Sequence, residues 1–179
     1  MTWGSFTAGG ASYDLSHLDD RLLHVEVENL KYSILIQFSD HCFTEDAKPN
    51  DTRPVFRPCT RRDGRFCVQR YRASKHIWAC IERAVHGKVW LGEGDRNLII
   101  KLDVAPNRHY IVVFTLDKLK GDQRARFRMR VRTAFERSAD QIAATYGEVR
   151  FKNLITLIQQ GKRPPRIYGS KRKTPWQPK

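Results

Sequence analysis

Residues 124–133 (RARFRMRVRT) alternate arginine with apolar or small residues. Successive side chains of a β-strand point to opposite faces, so a strand here would place five guanidinium groups on one face. A helix would scatter the arginines around its circumference and leave no apolar stripe. The pattern therefore predicts a strand whose basic face could hold successive phosphate groups. The alternative is a solvated face on which each arginine pairs with a carboxylate of the next strand. The basic face carries Arg124, Arg126, Arg128, Arg130 and Arg132, and the core face carries Ala125, Phe127, Met129, Val131 and Thr133.

Arginines beside a histidine could cleave RNA without a metal ion, because the 2′-hydroxyl of RNA can attack the adjacent phosphate. This reaction needs a base for the hydroxyl, an acid for the leaving oxygen and cations for the developing charge. Arg130 and Arg132 are the candidate cations. His41, in a polar segment after an apolar strand, and His109, at the start of the strand expected to pair with the arginine strand, are the candidate proton-transfer groups. His76 is a third candidate, and a structural role is the alternative for each histidine.

Other basic segments are expected to extend this surface. Residues 53–72 are predicted to form a hairpin about an Asp-Gly pair, which favours a tight turn, and both arms are rich in arginine. Residues 161–179 are basic and rich in proline, and they are predicted to form a mobile arm that orders on a polyanion. A tail without a role is the alternative. The candidate nucleic-acid contacts are Arg124, Arg126, Arg128, Arg70, Arg72, Lys171, Arg172 and Lys173.

The charge distribution also favours a polyanionic partner. The 179 residues carry a formal net charge of +14, and the two halves differ: residues 1–52 hold 3 Lys/Arg against 9 Asp/Glu, and residues 53–179 hold 30 against 10. Arginine outnumbers lysine in the basic part, and it offers phosphate a bidentate fork and stacks on bases. We therefore expect nucleic acid as the partner, RNA in preference to DNA, with a membrane surface or an acidic protein as the rivals.

Several other functions lack their sequence signals. The chain has no cysteine or histidine pair at the spacing of structural zinc sites, no glycine-rich phosphate loop and no hydrolase nucleophile motif, so neither a metal nor a cofactor is expected. No apolar run reaches the roughly 18 residues of a membrane span, and the N-terminus shows no secretory pattern. Four scattered cysteines do not suggest a disulfide framework. We expect a reduced, cytoplasmic protein without a membrane partner.

The order of predicted elements indicates an α+β fold with a twisted antiparallel sheet. Residues 22–38 could form a hairpin about Glu28–Asn29 or one long strand. Ser74 is the expected N-cap of the clearest helix. Both predicted helices should cover one face of the sheet and leave the basic face opposite. Strands are predicted over 32–38, 97–104 and 109–116 in addition to the arginine strand, and helices over 75–86 and 151–160.

The segment HYIVVFTL (109–116) followed by RFRMRVRTAF (126–135) resembles the closing hairpin of the small bacterial ribonuclease toxins of the RelE-like and barnase-like class. The order of strand, helix, three-strand meander and C-terminal helix is similar to these toxins over residues 30–160. The chain is longer than such toxins, with an added N-terminal segment and an added hairpin. The resemblance implies a metal-independent endoribonuclease of toxin type with a protein antitoxin as a partner. It also implies, near the scissile phosphate, Arg128, Arg130, Arg132 and Thr133.

The sequence therefore predicts one domain with three parts. These are an acidic segment with the first strands (1–52), a basic α+β core (53–160) and a basic tail (161–179). The expected function is metal-independent ribonuclease activity through the basic strand. The alternatives are a non-catalytic RNA- or DNA-binding factor, such as a phage or mobile-element protein, and a protein-interaction factor that uses the same basic face.

Overall fold

The computed structural model describes residues 1–56, 64–94, 96–121, 125–138 and 144–167. The fold is α+β, as the sequence predicts. The first half of the chain contains β1 (Ser5–Ala8), β2 (Ala11–Asp14), β3 (Arg21–Val27), β4 (Leu30–Phe38), β5 (Thr44–Asp46), β6 (Gly64–Phe66), α1 (Val68–Ser74) and α2 (Ile77–His86). The second half contains β7 (Lys88–Leu91), β8 (Leu98–Ala105), β9 (Arg108–Lys118), β10 (Phe127–Ser138), β11 (Glu148–Arg150) and α3 (Phe151–Gln159). No helix within the described ranges is both long enough and apolar enough to span a bilayer.

The central feature is a curled, mixed sheet of seven strands in the order β11-β7-β8-β9-β10-β4-β3. The predicted three-strand meander is present as β8, β9 and β10, and β7 adds a further antiparallel strand before it. β4, however, runs parallel to β10, so the expectation of a wholly antiparallel sheet is wrong for this pair. The chain between β4 and β7 contains α1 and α2 and returns to the far side of the meander, which leaves β4 beside β10. Alternation of residue types predicts which side chains of a strand share a face, but it does not predict which strand lies beside it. The sequence pattern therefore could not reveal this pairing.

β3 and β4 form an antiparallel hairpin, so residues 22–38 are not one long strand. The two-residue turn consists of Glu28 (φ 52°) and Asn29 (φ 65°). Positive φ at both central positions is typical of a type I′ turn, whose twist matches that of the flanking strands. The hairpin makes β3 the edge of the sheet and β4 an inner strand. The acidic N-terminal segment therefore contributes strands to the same sheet as the basic core.

The hairpin predicted over 53–72 is only partly present. Residues 54–56 and 64–66 are joined by backbone hydrogen bonds, and the turn between them lies outside the described residues. From Val68 onwards the chain forms α1, so the prediction of an extended second arm is wrong there. Tyr71 of α1 packs against the ring of Tyr13 in β2, with ring centroids 5.1 Å apart. This contact with the N-terminal hairpin stabilises α1, and it has no trace in the local sequence pattern.

α2 and α3 confirm the two predicted helices and cover the same face of the sheet. α2 begins at Ile77, and Ser74 is not its N-cap, because the Ser74 hydroxyl donates to the Tyr71 carbonyl within α1 (2.7 Å). Burial of apolar side chains from both helices against the sheet supplies the main hydrophobic stabilisation of the fold. The buried residues that the two helices contribute are Ile77, Cys80, Ile81, Ala84, Val85, Phe151, Leu154, Ile155 and Ile158.

β10 shows the predicted alternation over its first half. Its apolar side chains point into the core and its arginines point to the opposite face, which confirms the assignment of a strand. The fully buried residues are Phe127, Met129 and Val131, the exposed residues are Arg130 and Arg132, and Arg128 is half-buried.

A β-bulge interrupts this alternation between Val131 and Thr133. The bulge adds one residue to β10 relative to β9, so the phase of the strand shifts. Ala134 takes the buried position and Thr133 is only half-buried, so the prediction that Thr133 faces the core is wrong. The bulge instead directs the Thr133 hydroxyl towards the turn that follows β4, where it donates to the His41 carbonyl (3.4 Å).

The hydroxyl of Tyr110 is buried in the core and has no hydrogen-bond partner among the described residues. Burial raises the pKa of this hydroxyl far above its usual range. Thr44 is equally buried, but its hydroxyl donates to the Asp40 carbonyl (2.9 Å). The two hydroxyls are therefore equally buried, but only that of Thr44 has a hydrogen-bond partner among the described residues, so their removal can be compared.

Replacement of Tyr110 by phenylalanine should leave the free energy of unfolding unchanged or raise it by about 1–2 kcal/mol, because it removes a buried polar group without a partner. Thr44→Val should lower it by about 1–3 kcal/mol, because a made hydrogen bond is lost. Urea unfolding of the parent protein and both variants measures the two changes. Equal destabilisation by the two substitutions would contradict the assignment.

Candidate functional site

The arginines of β10 lie on the sheet face opposite α2 and α3. Arg128, Arg130 and Arg132 alternate with the buried residues of the strand, and we call these three the arginine row. Alternate residues of a strand are roughly 6.7 Å apart, so the row spans roughly 13 Å between its outer Cα atoms. Arg126 precedes β10 and donates to the Gln159 side chain at the end of α3 (3.3 Å). Arg124 lies outside the described residues.

The neighbouring strands supply only one acidic residue opposite the first two arginines of the row. That residue, Asp117, is bound by Arg163, whose Nη2 lies 2.7 Å from the carboxylate. Within the described parts of the chain, no carboxylate lies within the 4.0 Å ion-pair distance of the row. Pairing of each arginine with a carboxylate of the next strand is therefore not found there. The residues that face Arg128 and Arg130 are Leu35 and Gln37 on β4 and Asp117 and Thr115 on β9.

The segment after α3 lies against the end of the sheet. Arg163 also donates to the Leu116 carbonyl of β9 (2.9 Å), and Arg166 donates to the Gly92 carbonyl after β7. The segment therefore runs from β9, beside the row, to the turn that follows β7. The predicted contacts Lys171, Arg172 and Lys173 lie outside the described residues.

His41 lies in a short 3-10 turn immediately after β4, at the C-terminal end of the arginine row. Its carbonyl accepts hydrogen bonds from Arg70 Nη1 (2.9 Å) and from the Thr133 hydroxyl (3.4 Å). Ser39 continues the contact with β10 beyond the end of β4, because its hydroxyl donates to the Arg132 carbonyl (2.8 Å). His41 and Arg132 therefore lie near each other at the end of β4.

His109 does not lie with His41. Its side chain faces Asp103, with Nδ1 2.6 Å from the carboxylate, and only 2% of the residue is exposed. In the register of β9 and β10 it stands opposite Arg137, four residues beyond Thr133, which corresponds to roughly 13 Å along the strand. The strand pairing predicted for His109 is present, but its side chain is buried and lies apart from His41.

A second cluster of arginines lines a polar cavity of about 580 Å³ between α1 and the second half of β10. β4 ends opposite Val131, so the later part of β10 faces α1 instead of a strand. We call this the arginine cavity. Its charged and titratable lining residues are Arg70, Arg72, Arg108, Arg137, His76, Glu45 and Glu136.

Two of the four arginines in the cavity are held by carboxylates. Arg70 Nε lies 3.2 Å from Glu45, and Arg108 is paired with Glu136. Partial burial raises the pKa of the Glu45 carboxyl, but the guanidinium groups of Arg53 and Arg70 outweigh it and hold that pKa below its usual value. Glu45 therefore stays ionised at neutral pH and fixes the Arg70 side chain.

The other two arginines, Arg72 and Arg137, form no ion pair with a carboxylate of the described residues. The Arg137 guanidinium lies 5.1 Å from the centroid of the Phe135 ring, and Arg70 lies 5.6 Å from the same centroid. Such contacts hold a guanidinium group in place without neutralising its charge. The cavity thus contains two arginines without a carboxylate partner among the described residues, and the ring contact holds one of them, Arg137.

Sequence reasoning identified Arg70, Arg72 and His76 but not Arg108 or Arg137. Arg108 begins β9 and Arg137 lies near the end of β10, so they meet α1 only through the fold. The arginine alternation stops at the bulge, and no local pattern marks these two positions. The pairing of β9 with β10, which the sequence did predict, is the one signal that relates them to each other.

The described residues contain no group of three or more His, Cys, Asp and Glu side chains that could hold a metal ion. Cys42, Cys67 and Cys80 are buried free thiols, and Cys59 lies outside the described residues. Burial raises the pKa of both Cys42 and Cys80 to about 12, so these two thiols stay protonated at neutral pH.

His17 forms a histidine–serine pair that the sequence analysis did not identify. Its Nε2 lies 2.7 Å from the Ser74 hydroxyl, and its Nδ1 lies 3.0 Å from Lys75 Nζ. The Ser74 proton goes to the Tyr71 carbonyl, so Nε2 donates to serine and Nδ1 accepts from lysine. A catalytic base would have to accept the serine proton, so this geometry is structural. Burial, and next the Lys75 ammonium group, lowers the pKa of His17 to about 4.

The fold and the site define an α+β protein whose central sheet presents a row of arginines on one face and an arginine-lined cavity at the end of the row. The family model of the YjaZ family matches residues 5–159, and the chain belongs to this family. Neither the curated proteins nor the solved structures contain a significant match to the chain. The resemblance to ribonuclease toxins stays a prediction.

The free energy of unfolding should fall as the pH decreases from about 6.5 to about 4, because unfolded His17 takes up a proton at its ordinary pKa of 6.5 whereas the folded residue does so only near 4. His17→Gln should flatten this dependence. Urea midpoints measured at neutral and mildly acidic pH test the effect. His24→Gln, on the exposed face of β3, is the control and should keep the full pH dependence. If the free energy of unfolding of His17→Gln falls with pH as much as that of the parent protein, groups other than His17 cause the dependence.

Proposed function

We propose that this protein binds single-stranded nucleic acid, RNA in preference to DNA, through the arginine row. The observation that carries the proposal is the lack of a carboxylate within ion-pair distance of the row among the described residues. The one facing acid, Asp117, is bound by Arg163. The positive charge of the row is therefore available to a ligand.

The repulsion within the row supports a polyanionic ligand. Two unit charges roughly 6.7 Å apart repel by about 0.6 kcal/mol in bulk water and by about 2.5 kcal/mol at an effective dielectric constant of about 20. Phosphates that follow the strand at a similar spacing remove this repulsion and release their condensed counterions. A sheet face also suits single strands, since arginine side chains stack on bases that are not paired.

The geometry supports binding better than the cleavage expected from the sequence. Of the histidines considered for proton transfer, His109 is buried and lies apart from His41, which gives less support to a joint role. A second candidate function, metal-independent ribonuclease activity of toxin type, is favoured by His76, an exposed histidine that lines the arginine cavity beside Arg70 and Arg72. In this candidate His76 transfers the proton and the arginines stabilise the developing charge.

The proposal places the protein in the cytoplasm, where nucleic acid is accessible and thiols stay reduced. The three buried free cysteines are compatible with this location. An antitoxin-like protein partner belongs to the ribonuclease candidate alone. Neither candidate function involves a membrane.

The double variant Arg128→Ala, Arg130→Ala should weaken binding to single-stranded RNA and lower the slope of log K against log salt by about 1.4, which is about 0.7 for each lost phosphate contact. Fluorescence anisotropy over a range of salt concentrations measures the slope. The control removes the same charge from the helix side with Arg83→Ala, Lys152→Ala and should leave the slope unchanged. An unchanged slope in the first variant would exclude the row as the contact surface.

Incubation of labelled RNA with the protein in EDTA separates the two candidate functions. Intact RNA with a salt-sensitive shift supports the non-catalytic binder, whereas products that end in a cyclic phosphate support the ribonuclease. If cleavage occurs, His76→Gln should lower its rate by about 10²-fold or more, the range of general acid–base contributions. Capture of an acidic protein without any RNA shift at about 0.15 M salt would favour the protein-interaction alternative.

A further inference from the structure

The arginine cavity has the charge that suits a phosphate dianion. Its four arginines and two glutamates leave an excess of two positive charges. A terminal phosphomonoester carries close to two negative charges at neutral pH, because its second pKa is about 6. A phosphodiester inside a strand carries one. The charge of the cavity thus suits the terminal phosphate of a nucleic-acid strand, and the arginine row suits the interior phosphates of that strand.

The pairing inside the cavity indicates which groups would hold the anion. Glu45 and Glu136 already occupy Arg70 and Arg108. Arg72 and Arg137 have no such partner among the described residues, and both are exposed to solvent. Two guanidinium forks can each bind two phosphate oxygens, which is the arrangement that planar bidentate recognition requires.

The cavity is continuous with the arginine row. Arg70 Nη1, at the cavity, lies 3.3 Å from the Thr133 hydroxyl, and Thr133 follows Arg132, the last member of the row. From Arg132 to Arg137 the strand runs roughly 17 Å, the length of a few nucleotides of an extended single strand. A nucleic-acid strand that lies along β10 can therefore place its terminal phosphate in the cavity.

We propose that the arginine cavity binds the terminal phosphate of the nucleic-acid strand whose interior phosphates lie on the arginine row. This inference rests on the proposed function of the row and adds the substrate class: strands with a phosphorylated end. Arg72 and Arg137 hold the phosphate, and Arg70 and Arg108, fixed by their glutamates, complete the positive surroundings.

The test uses three forms of one 2′-O-methyl RNA, which resists cleavage through its 2′ position: 5′-phosphorylated, 3′-phosphorylated and with hydroxyl groups at both ends. One phosphorylated form should bind about tenfold tighter than the hydroxyl form, as expected for added charge-assisted hydrogen bonds. Arg72→Gln, Arg137→Gln should reduce this ratio to about one. The helix-side control Arg83→Gln, Lys152→Gln should keep the ratio.

The outcomes separate the inference from the function on which it rests. Equal affinity for all three forms overturns the terminal-phosphate site and leaves the binding function intact. Failure of all three to bind overturns the binding function itself. Adenosine 5′-monophosphate tests the other source of a phosphomonoester: if it competes as tightly as the phosphorylated RNA, and Arg128→Ala, Arg130→Ala leaves that competition unchanged, the cavity binds a small phosphorylated molecule and the strand-end assignment is wrong.

Discussion

The availability of the arginine row depends on the ion pair between Arg163 and Asp117. Asp117 stands opposite Arg128 on the antiparallel neighbour, where Cβ atoms are about 5 Å apart and opposite charges attract. Arg163 binds this carboxylate at 2.7 Å and is anchored a second time on the Leu116 carbonyl at 2.9 Å. An arginine from the segment after α3 thus occupies the acid that would otherwise pair with Arg128. With this acid occupied, all three arginines of the row lack a carboxylate partner among the described residues.

The parallel pairing of β4 with β10 decides how the row ends. β4 stops opposite Val131, and the bulge that follows turns Thr133 towards the loop after β4. Beyond this point none of the described strands lies on that side of β10, so α1 approaches it and the arginine cavity forms between them. A longer β4 would fill this space with a strand. Two features therefore separate the open arginine row from the half-enclosed arginine cavity. They are the end of β4 and the one-residue bulge in β10.

The sequence predicted the parts of this structure that depend on local periodicity. The alternation over 124–133 indicated a strand with a basic face, and the spacing of apolar residues indicated α2 and α3, because both signals lie within a few neighbouring residues. It did not predict α1, since the helix is stabilised by packing of Tyr71 on a ring from β2. It also did not predict the arginine cavity, because Arg108 and Arg137 approach α1 only after the chain has crossed the sheet. The burial of His109 likewise depends on its inner position between β8 and β10.

The acidic N-terminal segment has a positioning role in this arrangement. Glu45 belongs to that segment, and it holds both Arg70 and Arg53. Without its carboxylate, four guanidinium groups would line the cavity against a single glutamate, and their mutual repulsion would favour open, solvated side chains. A fixed guanidinium group loses less conformational entropy when an anion binds than a mobile one does. The segment therefore lowers the net charge of the cavity and at the same time orients Arg70, which lies beside the arginines that have no carboxylate partner among the described residues.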